Sequence, residues 1–112
     1  MNTSSVIKIK GRDYHLDQHG FLHHFDHWDQ DWLDYHTATL STFSDQHHSL
    51  VLLTREFYKQ FQIGLKMRPF MKFLTKVESS VTNTEQLYHL FGDNPLRTLS
   101  LLAGLPPPPH CL

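Results

Sequence analysis

Cys111 is the only cysteine in the 112 residues and stands next to last, between His110 and Leu112. It follows Leu105-Pro106-Pro107-Pro108-Pro109. Four consecutive prolines have no backbone N–H to donate and favour polyproline II, which rises about 3.1 Å per residue without internal hydrogen bonds. The composition therefore predicts a stiff arm standing off the body. A thiol at its tip is poorly placed to support a core and well placed to enter another protein's cleft. The chemistry that suits it is sulfur transfer: a thiolate attacks a donor's terminal sulfur, holds it as a persulfide and presents the outer sulfur to the next thiolate. His110, when protonated, favours that thiolate, and the terminal carboxylate opposes it. The bland alternative, a free cysteine on a frayed tail, stays open on the composition of the arm alone.

Two other groups of residues could do chemistry. His23, His24 and His27 with Asp26 hold imidazoles at ligand spacing if a helix starts early enough to include His23. No fourth ligand is evident and histidine-rich solvated faces are common, so neither a metal site nor a cofactor is expected. Arg55, Lys59, Lys66, Arg68, Lys72 and Lys76 form a basic strip over two consecutive helical segments. Within it Arg55, Arg68 and Lys72, together with Arg97 and His110, are candidate contacts for a partner or for tRNA. Helix-turn-helix nucleic-acid binding is the rival reading of the strip, but a formal charge of -1 argues against DNA as main partner. There is no Gly-rich phosphate loop, carboxylate pair or Ser/His/Asp set, which leaves self-contained hydrolysis and phosphoryl transfer without support.

The elements that must position these residues are mostly helical. Residues 6–10 alternate like a half-buried strand, Gly11-Arg12-Asp13 reads as a turn before Tyr14-His15-Leu16, and Phe21-Leu22 can pair briefly after a second turn at 17–20. Phe25, Trp28, Trp32, Leu33 and Tyr35 predict a first helix from about 25 to 40. Ser44 is an N-cap for a second, with Leu50, Leu53, Phe57 and Phe61 on one stripe. Arg68-Pro69 opens a third through Phe70, Phe73, Leu74 and Val77. Asn83 with Gln86 makes a capping box before Leu87, Leu90 and Phe91, and Asn94-Pro95 opens a last helix that stops at Gly104. The phenylalanines 57, 61, 70 and 73 read as core.

The expected architecture is a mainly α single domain, residues 1–104, with a short N-terminal β-hairpin, and a flexible C-terminal arm, residues 105–112, carrying the thiol. Eight Phe, four Tyr and two Trp supply enough bulk to close a core. One cysteine excludes an internal disulfide framework, and Met1-Asn2-Thr3-Ser4-Ser5 lacks a secretory n-region and apolar run. No stretch reaches the roughly 20 apolar residues of a membrane span. A cytoplasmic setting with no membrane partner is the resulting expectation.

Three blocks carry a family resemblance. The first is Leu16-Asp17-Gln18-His19-Gly20-Phe21-Leu22 with Trp28 after it; the second is His47, then Arg55-Glu56-Phe57-Tyr58, then Arg68. The third and most specific runs Leu87-Tyr88-His89-Leu90-Phe91, Pro95, then Ala103-Gly104-Leu105-Pro106 with Pro108 and the penultimate Cys111. Together they resemble the TusE/DsrC sulfur-relay proteins. The resemblance implies a mostly helical fold with an N-terminal hairpin, and a persulfide-carrying sulfurtransferase role for Cys111. Some members carry a second cysteine ten residues before the last, where this chain has Leu101. With one thiol the match tilts toward the TusE type, which implies a relay for tRNA 2-thiouridine synthesis. The implied partners are a TusBCD-type donor complex and a tRNA thiouridylase acceptor; a DsrC-like role in dissimilatory sulfur metabolism is the alternative. Gly92, Asn94 and Leu65 depart from the family pattern, which usually has Pro, Gly and Pro there.

Overall fold

The computed structural model describes residues 5–109. The first element is a two-stranded antiparallel hairpin, β1 (Ser5–Ile9) and β2 (Arg12–Leu16), in the register Ile9↔Arg12 and Ile7↔Tyr14. Its turn is Lys10-Gly11, both at positive φ (51° and 80°), so it sits one residue earlier than the Gly11-Arg12-Asp13 turn read from the sequence. Two adjacent residues at positive φ match the right-handed twist of the flanking strands, which leaves Arg12 and Asp13 free to pair. Leu22 makes the expected brief bridge to Leu16.

The single helix expected over 25–40 is two pieces. Phe25–His27 is one 3-10 turn, and α1 (Gln30–Thr37) starts only after Asp29. Asp29 is the reason: its carboxylate caps the Trp32 N–H, accepts from the Tyr14 hydroxyl at 2.8 Å and pairs with Arg12. An Asp that satisfies an orphan N–H starts a helix rather than continuing one. The same side chain ties α1 to the hairpin.

The later helices follow their caps. α2 (Asp45–Phe61) begins at Ser44 and ends at Gln62 in the left-handed region; α3 (Met67–Lys76) carries Pro69 in its first turn. α4 (Thr84–Phe91) has the Asn83/Gln86 capping box, and α5 (Pro95–Ala103) has Asn94 as N-cap, Pro95 at its first position and Gly104 as C-cap. No helix among the described residues is long and apolar enough to cross a membrane.

The main core is Leu33, Leu50, Phe57, Phe70, Leu74 and Leu99 with their neighbours, and a second cluster joins Ile9, Tyr14, Leu16, Leu22 and Trp32 across the hairpin and α1. Trp28 packs on both. Phe61, read as core, is 49% exposed, and Val77, read as part of the apolar stripe of the third helix, is 42% exposed. Each lies at the outer end of its helix, Phe61 as the last residue of α2 and Val77 as the C-cap of α3. Phe61 still touches the rings of Phe57 and Phe73 at 5.0 and 6.2 Å, so it caps the aromatic cluster from outside.

Candidate functional site: the anchored root of the C-terminal arm

A helix leaves its last carbonyls without intrahelical donors. In α5 three successive carbonyls receive side-chain N–H groups from other parts of the chain. The Trp32 indole donates to Leu101 O at 2.9 Å, the Trp28 indole to Leu102 O at 2.8 Å, and Arg55 Nη1 to Ala103 O at 2.9 Å. Gly104 then turns the chain at φ +76°, and Leu105 N–H returns to Ser100 O at 2.9 Å, the closing bond of a Schellman-like stop. A Cβ on Gly104 would lie 2.9 Å from Trp28 Cδ1 and 3.1 Å from Leu22 Cδ2. Only glycine satisfies both the backbone and the space.

Arg55 is the centre of this anchor. Its guanidinium lies 3.8 Å from the centroid of Phe25 and 4.5 Å from that of Trp28, and it also donates to Phe25 O at 3.3 Å. Burial pulls its pKa down to about 10, with Asp26 and Glu56 acting in the opposite direction, so it keeps its charge at neutral pH. A cation at a helix C-terminus also complements the macrodipole. Arg55 therefore holds the arm's root.

The proline run begins on the body rather than clear of it. Leu105 is fully buried and Pro108 is buried. Gly64 makes room for the rest: a methyl group there would sit 3.2 Å from Pro109 Cδ and 3.5 Å from Pro107 O. The physical reason is that prolines lack donors but present apolar rings, so a polyproline segment can lie against a glycine-floored surface without stranding hydrogen bonds. Cys111 and His110 lie outside the described residues.

The other residues singled out in the sequence are dispersed. Arg97 lies 5.0 Å from the Phe21 ring, while Arg68 and Lys72 are exposed on α3, away from the Arg55 anchor. In the histidine-rich segment His24 meets His23 edge-on at 4.6 Å and His27 at a tilt at 4.8 Å, by centroid. Among the described residues no group of three or more His, Cys, Asp or Glu is arranged to hold a metal ion. Reading the sequence alone missed the anchoring roles of Trp32 and Arg55.

The DsrC-like protein family model matches residues 8–112, from the end of β1 through β2, all five helices and the arm. This chain belongs to that family. It is 28% identical over 108 residues to the dissimilatory-type sulfite reductase subunit gamma of Nitratidesulfovibrio vulgaris, covering 95% of this chain and 97% of that one. It is 29% identical over 110 residues to a sulfurtransferase TusE homolog of Haemophilus influenzae, covering 96% and 100%. Among solved structures, Allochromatium vinosum DsrC superposes with a TM-score of 0.80 at 25% identity, covering 97% and 99%. Within this DsrC-like chain, the Ala103-Gly104-Leu105-Pro106 block is the segment whose backbone the two indoles and Arg55 hold.

Proposed function

We propose that this chain is a sulfur-relay carrier that takes a sulfur atom onto Cys111 and passes it to an acceptor, in the service of tRNA 2-thiouridine synthesis. The observation that carries the reading is the junction of an anchored arm root with a single penultimate thiol. The tryptophan, arginine and glycine contacts set the direction in which the chain leaves α5, and the only cysteine follows within eight residues. Relatives named as TusE sulfurtransferases support the same reading over their whole length.

The transfer balances without an external oxidant or reductant. The Cys111 thiolate attacks the outer sulfur of a donor persulfide; a new S–S bond forms on Cys111, the donor's S–S bond breaks, and the donor leaves as a thiolate. Repeating the step on an acceptor thiolate returns Cys111 to its starting state. The donor would be a TusBCD-type complex and the acceptor a tRNA thiouridylase. The sulfite-reductase-linked alternative, in which two cysteines bridge, finds no second thiol: Leu101 occupies the position that the family resemblance assigns to it, and its carbonyl serves the Trp32 anchor.

Intact mass after incubation with a cysteine desulfurase, cysteine and the donor complex tests the reading. The wild-type chain should gain one sulfur atom, lost again on reduction, and Cys111→Ser should gain none while melting at the same temperature. A sulfur adduct on the serine variant, or no adduct on the wild type with an active donor, would refute it.

A further inference from the structure

Six of the ten lysines and arginines are engaged by the fold. Lys8 pairs with Asp13, Lys10 with Asp31, Arg12 with Asp29 and Lys59 with Glu56, while Arg55 and Arg97 lie over aromatic rings. The remaining four are Lys66, Arg68, Lys72 and Lys76. All four are exposed, and among the described residues none has an ion-pair or hydrogen-bonding partner for its side chain. They fall in an eleven-residue stretch, 66–76, that contains no Asp or Glu, within a chain whose formal charge is -1.

Arg68, Lys72 and Lys76 repeat every four residues and form one line along α3, with about 6 Å of rise between successive members. Beside that line Met67 and Met71, both half-buried, form the floor of an open groove of about 800 Å³ whose far wall is Thr82 and Thr84. The inner face of α3, Phe70, Phe73 and Leu74, is already in the core, so the groove is what the helix presents outward. Methionine is the side chain that adapts most readily to varied apolar surfaces. No aromatic ring lines the groove, so it offers nothing on which a base could stack.

We infer that the outer face of α3 is a docking groove for an acidic amphipathic helix of a partner protein, with apolar side chains on Met67 and Met71 and one carboxylate per turn opposite Arg68, Lys72 and Lys76. A ten-residue helix spans about 15 Å, enough for three such turns. The groove begins at Met67, three residues after Gly64, against which Pro109 rests, so a partner seated on α3 lies close to the proline run. The surface does not depend on what Cys111 carries, and Cys111→Ser should bind as the wild type does.

The test uses the full chain with isotope-labelled methionine methyl groups. Three probes are compared: a synthetic helical peptide with Glu once per turn beside a Leu stripe, a peptide of the same composition with the Glu residues scattered around the helix, and a single-stranded RNA of equal charge. The first should bind in a salt-dependent manner and shift the Met67 and Met71 signals. The triple variant Arg68→Glu, Lys72→Glu, Lys76→Glu should bind it about tenfold more weakly or worse, and should regain binding to a peptide with Lys in place of Glu. Lys72→Glu alone, checked by an unchanged melt, should shift affinity in the same direction. Equal binding of the scattered peptide, or methyl shifts confined to Met1, would overturn the proposal. So would tighter binding of the RNA on the same strip, which would make it a nucleic-acid surface.

Discussion

The Trp28 indole and the Leu102 carbonyl meet at 2.8 Å across seventy-four residues of sequence. The same ring lies where a Cβ on Gly104 would have to go. One side chain therefore supplies a donor to the last turn of α5 and shapes the turn that follows it, so the start of the arm is built by a residue that precedes the first α-helix.

Gly104→Ala should be far more damaging than Gly11→Ala, although both glycines have positive φ (76° and 80°). At Gly11 nothing lies within 4 Å of the added methyl, so the cost is the left-handed backbone alone, roughly 1–2 kcal/mol. At Gly104 overpacking against Trp28 adds about 1–3 kcal/mol more. Urea unfolding of the two variants measures the difference, and equal costs would mean that Trp28 yields without penalty.

Arg55→Met should lower stability by about 2 kcal/mol, because it removes a charged donor from the Ala103 and Phe25 carbonyls and leaves the former facing an apolar group. Arg55→Lys should recover only part of this, since an ammonium keeps the charge but loses the planar guanidinium whose Nη1 serves both carbonyls while its face lies over Phe25 and Trp28. Denaturant midpoints rank the three proteins. Tryptophan emission should also move, most in Arg55→Met, where Trp28 loses its cation.

Stability should fall in mildly acidic buffer, and His36 should account for part of the fall. Its ring packs 4.3 Å from that of Trp32, and burial holds its pKa below the ordinary 6.5. A depressed histidine means that the unfolded chain takes up the proton first as pH drops through 6.5, so the contribution is intact above that value and lost progressively below it. His24 acts in the same direction, through desolvation and then through its neighbours His23 and His27. Melts from pH 7.5 to 5 should show a shallower slope for His36→Leu than for the wild type, and an unchanged slope would remove His36 from the account.

Much of the secondary structure could be read from the sequence because its signals are local. Ser44, Asn83 and Asn94 each cap an N–H three residues ahead, as their positions before apolar runs predict. Gly104 stops α5 in a left-handed turn for the same short-range reason. Where a local signal competes with another the reading slipped: Asp29 divides the first helix, and the Lys10-Gly11 turn precedes the Arg12-Asp13 pair that resembled part of the turn.

The chain's order of residues determined by itself that one thiol stands at its end, that prolines precede it and that five short helices follow a hairpin, because composition and spacing within a few residues suffice for each. Only the tertiary structure decided which cations are free. Arg55 and the α3 lysines look alike in a basic strip, and nothing within four residues of Arg55 announces the carbonyls of Phe25 and Ala103, thirty and forty-eight residues away. Helical periodicity says that a side chain lies on a face, not what the fold brings against it. The same is true of the arm's root: its polyproline character is local, but its rest against Gly64 depends on where the end of α2 and the end of α5 come together in space.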